Sequence, residues 1–322
     1  AARHLLQIIY DKGDIYKGIY EGLYCVECET FYPEKSLVNN CCPVHEKPVE
    51  QIAEETYFFR MSAYQEKVKH YIQTHPNCVQ PTPKRQEILA RLQEPVHDLS
   101  ISRATVSWGF ACPWDESHTI YIWGDALTNY LTTIGYPDKK YEAYWPMVHI
   151  IGKDILWHHT MIWFSLLLAA DISLPTVFSH GFVLTASGEK MSKSKGPSLD
   201  PMDILQTYGT DPVRYYLLKE IPFGQDGMFS HAGLVARLNN ELADQLGNLL
   251  NRFLVLADKF SSCKIHVTEI DTALAKTVPL HAVKEHMAKF ELHVALQAVM
   301  GFVQVLNKYI DSHKPWQLAK EN

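Results

Sequence analysis

The sequence lacks a long hydrophobic run. Its most apolar stretch, Ile162 to Ala170, is far shorter than the roughly 20 residues that a membrane helix needs, and it follows His158 and His159. It is predicted to be a buried helix, and no membrane partner is expected. An excess of positive charge is missing too: 30 Lys and Arg stand against 36 Asp and Glu, a formal charge of -6. That excludes a protein that coats nucleic acid non-specifically, although a local basic patch on an acidic body stays compatible with it. Cysteines are few and uneven. Of seven, Cys25, Cys28, Cys41 and Cys42 crowd one stretch, while Cys78, Cys112 and Cys263 are scattered. This is not the even spread of a secreted disulfide framework; a cytoplasmic setting, or an organelle matrix, is expected. Low-complexity tracts and internal repeats are absent, so disorder is not expected. Ala1-Ala2-Arg3-His4 forms no signal peptide and no initiator Met is present, so a fragment is expected.

What remains is ordinary globular material: 322 residues, 47% hydrophobic and 20% charged, enough for two or three domains. An apolar helical pattern over Leu5 to Tyr10 stops at Asp11-Lys12-Gly13-Asp14. Residues 15–24, rich in β-formers with glycine breaks, predict short strands. Phe58, Phe59, Met61, Tyr64, Val68 and Ile72 recur at roughly helical spacing and predict a helix over 54–75; a second is predicted over 84–93. From Leu99, short β-branched runs alternate with helix-like segments at 125–134 and 154–170, which implies a mostly parallel sheet with crossover helices. Beyond Asp203 nearly everything is helix-compatible. Long amphipathic patterns at 234–259 and 283–310 point to a bundle.

The most specific string is Lys190-Met191-Ser192-Lys193-Ser194, followed by Lys195-Gly196. By composition alone it is a solvated basic loop, or a mobile clamp whose ammonium groups neutralise phosphates. Its order resembles the Lys-Met-Ser-Lys-Ser signature of class I aminoacyl-tRNA synthetases. The flanks, His180-Gly181-Phe182-Val183-Leu184 and Tyr208-Gly209-Thr210-Asp211-Pro212-Val213-Arg214-Tyr215, are similar to those of the methionyl-tRNA synthetase family. The resemblance implies Lys190 and Lys193 as catalytic, phosphate-contacting residues. Two further strings are similar to the same family: Tyr121-Ile122-Trp123-Gly124-Asp125-Ala126-Leu127-Thr128-Asn129-Tyr130, and Ile151-Gly152-Lys153-Asp154 leading to His159 and Trp163. They imply a methionine pocket of Trp123, Ala126, Tyr130, His159 and Trp163, with Gly152 and Asp154 on the adenosine of ATP. An apolar aromatic wall suits a thioether; plain core aromatics are the bland reading. His159 and Trp163, at i and i+4, share one helix face. Arg103, in Asp98-Leu99-Ser100-Ile101-Ser102-Arg103, is carried over as catalytic; a structural ion pair is its ordinary fate.

Cys25-x2-Cys28 and Cys42-x2-His45 form two ligand pairs suited to one tetrahedral ion. They resemble the zinc knuckle in the connective insertion of some bacterial-type members and imply a structural Zn2+. Residues 239–252 and 308–316 look like the family's anticodon-binding elements, implying Asn248, Arg252 and Trp316 as base-reading residues. The fold class so implied is α/β. It comprises part of a Rossmann-like parallel nucleotide-binding fold with a zinc-knuckle insertion, then an α-helical anticodon-binding bundle. Its implied segments are 1–22 (end of the first catalytic half), 23–98 (insertion), 99–178 (second half), 179–230 (Lys-Met-Ser-Lys-Ser loop and stem contact) and 231–322 (anticodon binding). The implied substrates are L-methionine, ATP with Mg2+, and tRNA(Met). The family's His-x-Gly-His motif is missing, so an incomplete sheet with an unpaired edge is expected, and an inactive or poorly folded isolated chain. The alternative is a non-catalytic tRNA-binding module derived from such an enzyme.

Overall fold

The structure is a computed structural model. It describes residues 1–25, 30–32, 37–43, 47–185, 188, 200–264 and 269–321. The chain forms two compact units, Ala1–Ser179 and His180–Asn322.

The first unit opens with α1 (Ala2–Asp11), which buries Leu5, Leu6 and Ile9 on one face. Strand β1 (Ile15–Cys25) follows, with β2 (Thr30–Tyr32) and β3 (Glu50–Phe59). β1 is one continuous strand rather than the broken short strands predicted. Its ladder with β3 runs from Ile15 opposite Phe59 to Tyr24 opposite Glu50, and the tyrosines Tyr16 and Tyr20 stack on Phe58 from the neighbouring strand.

The helix predicted over 54–75 is corrected. Residues through Phe59 belong to β3; a 3₁₀ turn covers Met61–Tyr64, and only then does α2 (Gln65–Thr74) begin. The helical spacing of Phe58, Phe59, Met61 and Tyr64 was fortuitous, straddling the break at Arg60. The antiparallel ladder overrides it, because extended residues satisfy every backbone group against β1. β4 (Val79–Gln80) and α3 (Thr82–Arg91) complete this stretch. β4 pairs in parallel with β10 (Thr176–His180), and Ile72 and Ile88 join the same core as Phe164 and Val177. The helices of 61–91 thus pack on the same core as β10 and α6 (Trp163–Ala169).

β5 (Leu99–Ser100), β6 (Ser102–Arg103), β7 (Ala111–Cys112) and β8 (Asp115–Ile120) lead to two short helices, α4 (Ile122–Ala126) and α5 (Asn129–Thr133). These replace the single helix predicted over 125–134. The chain breaks at Thr128, whose hydroxyl donates to the Asp125 carbonyl (2.7 Å). β9 (Val148–Gly152) lies at the end of the sheet ordered β4-β10-β9. It buries His149 and Ile151 and exposes Val148 and Ile150, the period-two pattern of a strand. α6 (Trp163–Ala169) is almost entirely buried.

The second unit pairs β11 (Val183–Leu184) in parallel with β12 (Gly227–Met228). α7 (Pro201–Tyr208), α8 (Thr210–Glu220) and α9 (His231–Arg237) enclose a small core of Ile204, Val213, Tyr216, Phe229 and Leu234. Asp200 caps α7 by accepting from the Met202 amide (2.8 Å). Then come α10 (Asn248–Ser261), α11 (Thr272–Ala275), α12 (Leu280–Ala288), α13 (Leu292–His313) and α14 (Pro315–Glu321). The single pattern predicted over 283–310 is two helices. The chain reverses at Phe290 (φ 60°), and His286 Nδ1 lies 2.6 Å from the Glu291 carboxylate across the turn. No helix among the described residues is long and apolar enough to cross a membrane.

Candidate active site

Past Gly152, β9 gives way to a 3₁₀ turn, Lys153–Ile155, and then to a π-helical turn, His158–Ile162, before α6. Such wide turns concentrate where a side chain must be re-aimed. Here His159 Nδ1 lies 2.9 Å from the Ile155 carbonyl. A carbonyl only accepts, so Nδ1 carries the proton and Nε2 is bare. Nε2 therefore accepts from the Tyr130 hydroxyl at 2.8 Å. The Tyr130 ring stacks on His149, centroids 3.8 Å apart. His149 Nε2 accepts from the Trp163 indole N–H at 3.2 Å, so its proton sits on Nδ1, which is buried and without a partner among the described residues. Trp145 packs edge-on against Trp163. Trp123, half-buried, lies flat on His158 (4.0 Å) and edge-on to His159 (6.4 Å).

Four of the five expected methionine-pocket residues, Trp123, Tyr130, His159 and Trp163, are thus drawn together. Ala126 is not: it is exposed at the end of α4. Three residues were missed, His149, His158 and Trp145. The usable signal was His149 itself, a polar residue in an inward register position of an apolar strand, which calls for a paired partner.

Electrostatically the cluster is neutral. Burial pushes the His149 imidazole down to about 3 and His158 to about 4, and lowers His159 as well; the mutual proximity of the rings adds to the first two. Burial raises Tyr130. An uncharged, polarizable box of rings rejects a charged side chain, which would lose its hydration there, and favours a thioether.

At the strand end, a Cβ on Gly152 would lie 2.7 Å from Asp154 Oδ1. Only glycine leaves the carboxylate where it stands. On the ATP contact expected of Gly152 and Asp154, Gly152→Ala is predicted to displace Asp154 and weaken ATP binding in the full-length polypeptide about tenfold, with methionine affinity changed far less; equilibrium titration of each ligand checks this.

Arg103 sits apart from the box. Its Nη1 donates to Ser100 Oγ (2.8 Å) and the Ser102 carbonyl (2.7 Å), and its guanidinium covers the Tyr121 ring at 4.3 Å. It lines an open cavity of about 700 Å³ that shares only Trp123 with the box. Lys190, Lys193, Cys28 and His45 lie outside the described residues. Of the other zinc candidates, Cys25 ends β1 and Cys42 lies in a turn whose amide donates to the Lys47 carbonyl (2.8 Å); both are fully buried. Among the described residues no group of three or more metal-ligating side chains forms.

In the second unit, Asn248 is exposed on α10 and Trp316 is half-buried on α14. Arg252 Nη2 pairs with Asp311 Oδ1 at 2.5 Å, tying together the two segments expected to read bases.

Residues 1–53 and 35–254 match the family described as tRNA synthetases class I (M). The chain is similar to the methionine–tRNA ligase of Caldanaerobacter subterraneus subsp. tengcongensis, 43% identical over 97% of this chain and 51% of that protein. It is 42% identical to that of Clostridium acetobutylicum, over 100% of this chain and 52% of the relative. Among solved structures, Mycobacterium tuberculosis methionyl-tRNA synthetase bound by methionyl-adenylate superposes with a TM-score of 0.90 at 38% identity, covering 99% of this chain and 66% of that one. The chain spans about half the length of the curated relatives it matches. By the two matches to the family model and by these relatives, the chain belongs to the class I (M) tRNA synthetases.

Proposed function

We propose that the chain carries the methionine pocket of a methionine–tRNA ligase. Such an enzyme activates L-methionine with ATP to methionyl-adenylate and transfers it to tRNA(Met). The observation that supports this most is the neutral box of Tyr130, His159, His149 and Trp163. Its tautomers are fixed by hydrogen bonds, and a thioether-bearing complex of a similar structure strengthens the reading. In it, Trp123 and Tyr130 wall the side chain, and Asp154 holds the ATP ribose by accepting from its hydroxyls. Lys190 and Lys193 would neutralise phosphate charge, a task that Mg2+ brought in with the ATP would share. Catalysis is then positioning and electrostatics. Methionine-dependent pyrophosphate exchange in the full-length polypeptide tests this. Lys193→Ala is expected to lower that rate at least a hundredfold while methionine binding holds; an unchanged rate contradicts the role, and no exchange at all in the wild type leaves the non-catalytic tRNA-binding reading.

Zinc belongs to the same proposal. Cys25, at the end of β1, and Cys42, both fully buried thiols, would hold a closed tetrahedral site together with Cys28 and His45. Metal analysis is expected to find one zinc per chain, lost in Cys42→Ser. In the second unit, Asn248, Arg252 and Trp316 read the anticodon in this scheme, Arg252 by exchanging Asp311 for a base edge.

A further inference from the structure

Four polar side chains are sealed inside the first unit where β3, β5, β6 and β8 meet. Thr56 is 1% exposed, Ser100 8%, Ser102 0% and His118 2%. Buried hydroxyls cost free energy unless their protons and lone pairs are matched, so each bond can be assigned in turn. His118 Nε2 faces the Glu55 and Asp115 carboxylates, 3.9 Å from each. In the neutral ring the proton therefore sits on Nε2, and Nδ1 is bare. Ser102 Oγ donates to that Nδ1 (3.1 Å) and accepts from the Tyr57 amide (2.9 Å). Thr56 Oγ1 donates to the Ser102 carbonyl (2.9 Å). Ser100 Oγ lies 2.8 Å from Thr56 Oγ1. The Thr56 proton is already spent, so Ser100 is the donor of that pair.

The relay ends on a cation. With its own proton given to Thr56, Ser100 Oγ accepts from Arg103 Nη1 (2.8 Å), and the Ser102 carbonyl accepts from the same nitrogen (2.7 Å). The Tyr121 ring covers one face of the guanidinium. The backbone just beyond is held too, because the buried Glu54 carboxylate accepts from the Ala104 (2.7 Å) and Thr105 (3.0 Å) amides. All the acceptors on Nη1 are neutral, and among the described residues no carboxylate pairs with Arg103. A structural arginine spends its charge on a carboxylate. This one is fixed in place with its charge uncompensated, and Nε and Nη2 keep their donors.

We propose that Ser100, and Thr56 acting through it, are positioning residues that hold the Arg103 guanidinium for the negative charge that develops as the methionine carboxylate displaces pyrophosphate from ATP. The proposal rests on the ligase reading, which carries Arg103 as catalytic. A preorganised charge accelerates such a step, and a displacement of about 1 Å can cost about a hundredfold.

Two readouts on the full-length polypeptide test it. Ser100→Ala is expected to lower kcat for methionine-dependent pyrophosphate exchange about tenfold, with the KM for methionine and for ATP held within about twofold. Thr56→Val keeps the side-chain shape and removes only the hydroxyl; it lowers kcat about threefold, and Thr56→Ser restores it. The second readout is nitrogen NMR with isotope-labelled arginine, the Arg103 signals being assigned by their loss in Arg103→Lys. Its two Nη signals are expected to be separate in the wild type, because the tethered group turns slowly, and to merge in Ser100→Ala. Signals alike in the wild type, Ser100→Ala and Thr56→Val overturn the tether. Merged signals with an unchanged kcat, or a loss that falls on KM instead, overturn the positioning role. A wild type without any exchange rejects the ligase reading and the catalytic role together, while the Arg103 signals still decide whether the tether exists.

Discussion

On the proposed ligase activity, His149→Ala in the full-length polypeptide is expected to raise the KM for L-methionine at least tenfold, leave kcat within about twofold, and destabilise the first unit by about 3–4 kcal/mol. Among the described residues the His149 ring contacts Tyr130, Trp145, His159 and Trp163, so it holds two walls of the box. Its loss strips the acceptor from the buried Trp163 N–H, an unsatisfied donor that costs about 1–3 kcal/mol. It also removes the ring on which Tyr130 stacks, opening a cavity in a region where His149 is 1% exposed. His149→Gln is the informative companion. Its side-chain oxygen can accept from Trp163 in place of Nε2, so it restores much of the KM but not the stacking. Steady-state kinetics beside denaturant titration separate the two effects. A His149→Ala enzyme with unchanged KM contradicts the positioning role.

The same histidines set a pH signature. In the unfolded chain they titrate near 6.5. In the folded unit, burial holds His149 to about 3 and His158 to about 4. Between these values the unfolded state binds more protons, so stability rises with pH across that window. It is fully present above about pH 6.5 and declines as the pH falls toward 3. Thermal scans from pH 8 to pH 4 are expected to show the decline, with a shallower slope in His149→Gln.

The second large effect lies in the other unit. Gly181→Ala is expected to cost about 3 kcal/mol or more and to break the pairing of β11 with β12. A Cβ there would lie 2.2 Å from the Gln225 carbonyl carbon and oxygen and 2.4 Å from the Asp226 amide nitrogen. These are backbone atoms, and they cannot swing aside as a side-chain tip would. Around them the Phe182 amide donates to Asp226 Oδ1 (2.8 Å) and the Gly227 amide to the Phe182 carbonyl (3.0 Å). Both bonds fail if the strands separate. Gly301, inside α13, is the control: nothing lies within 4 Å of its added Cβ, so Gly301→Ala gains about 0.5–1 kcal/mol of helix propensity. Denaturant titration followed by circular dichroism reads both. Equal midpoints for the two variants contradict the packing argument.

How much of this was legible follows from the kind of signal each residue leaves. Trp123, Tyr130, His159 and Trp163 could be picked out because their spacing is carried in contiguous strings. His149 could not, because in Met147 to Ile151 it reads as one polar residue in an apolar run; its role depends on contacts with residues 14 and 19 positions away in the chain. The helix predicted over 54–75 failed at Arg60 because local spacing says nothing of the β1 partner some 40 residues earlier. The break at Phe290 carries no Gly or Pro, and only the His286–Glu291 contact and the left-handed backbone reveal it. Arg252 was legible as a base-reading candidate only through the resemblance of residues 239–252; its ion pair with Asp311, on another helix, lies beyond any local pattern.

Histidine nitrogen NMR on this chain, with and without L-methionine, tests the central assignment most directly. The account expects His149 to stay neutral from pH 8 to pH 5 and His159 to titrate below its ordinary value, each protonated on Nδ1 alone when neutral, and both to shift when methionine is added. Ordinary titration near 6.5, protons on Nε2, or spectra indifferent to methionine would contradict it.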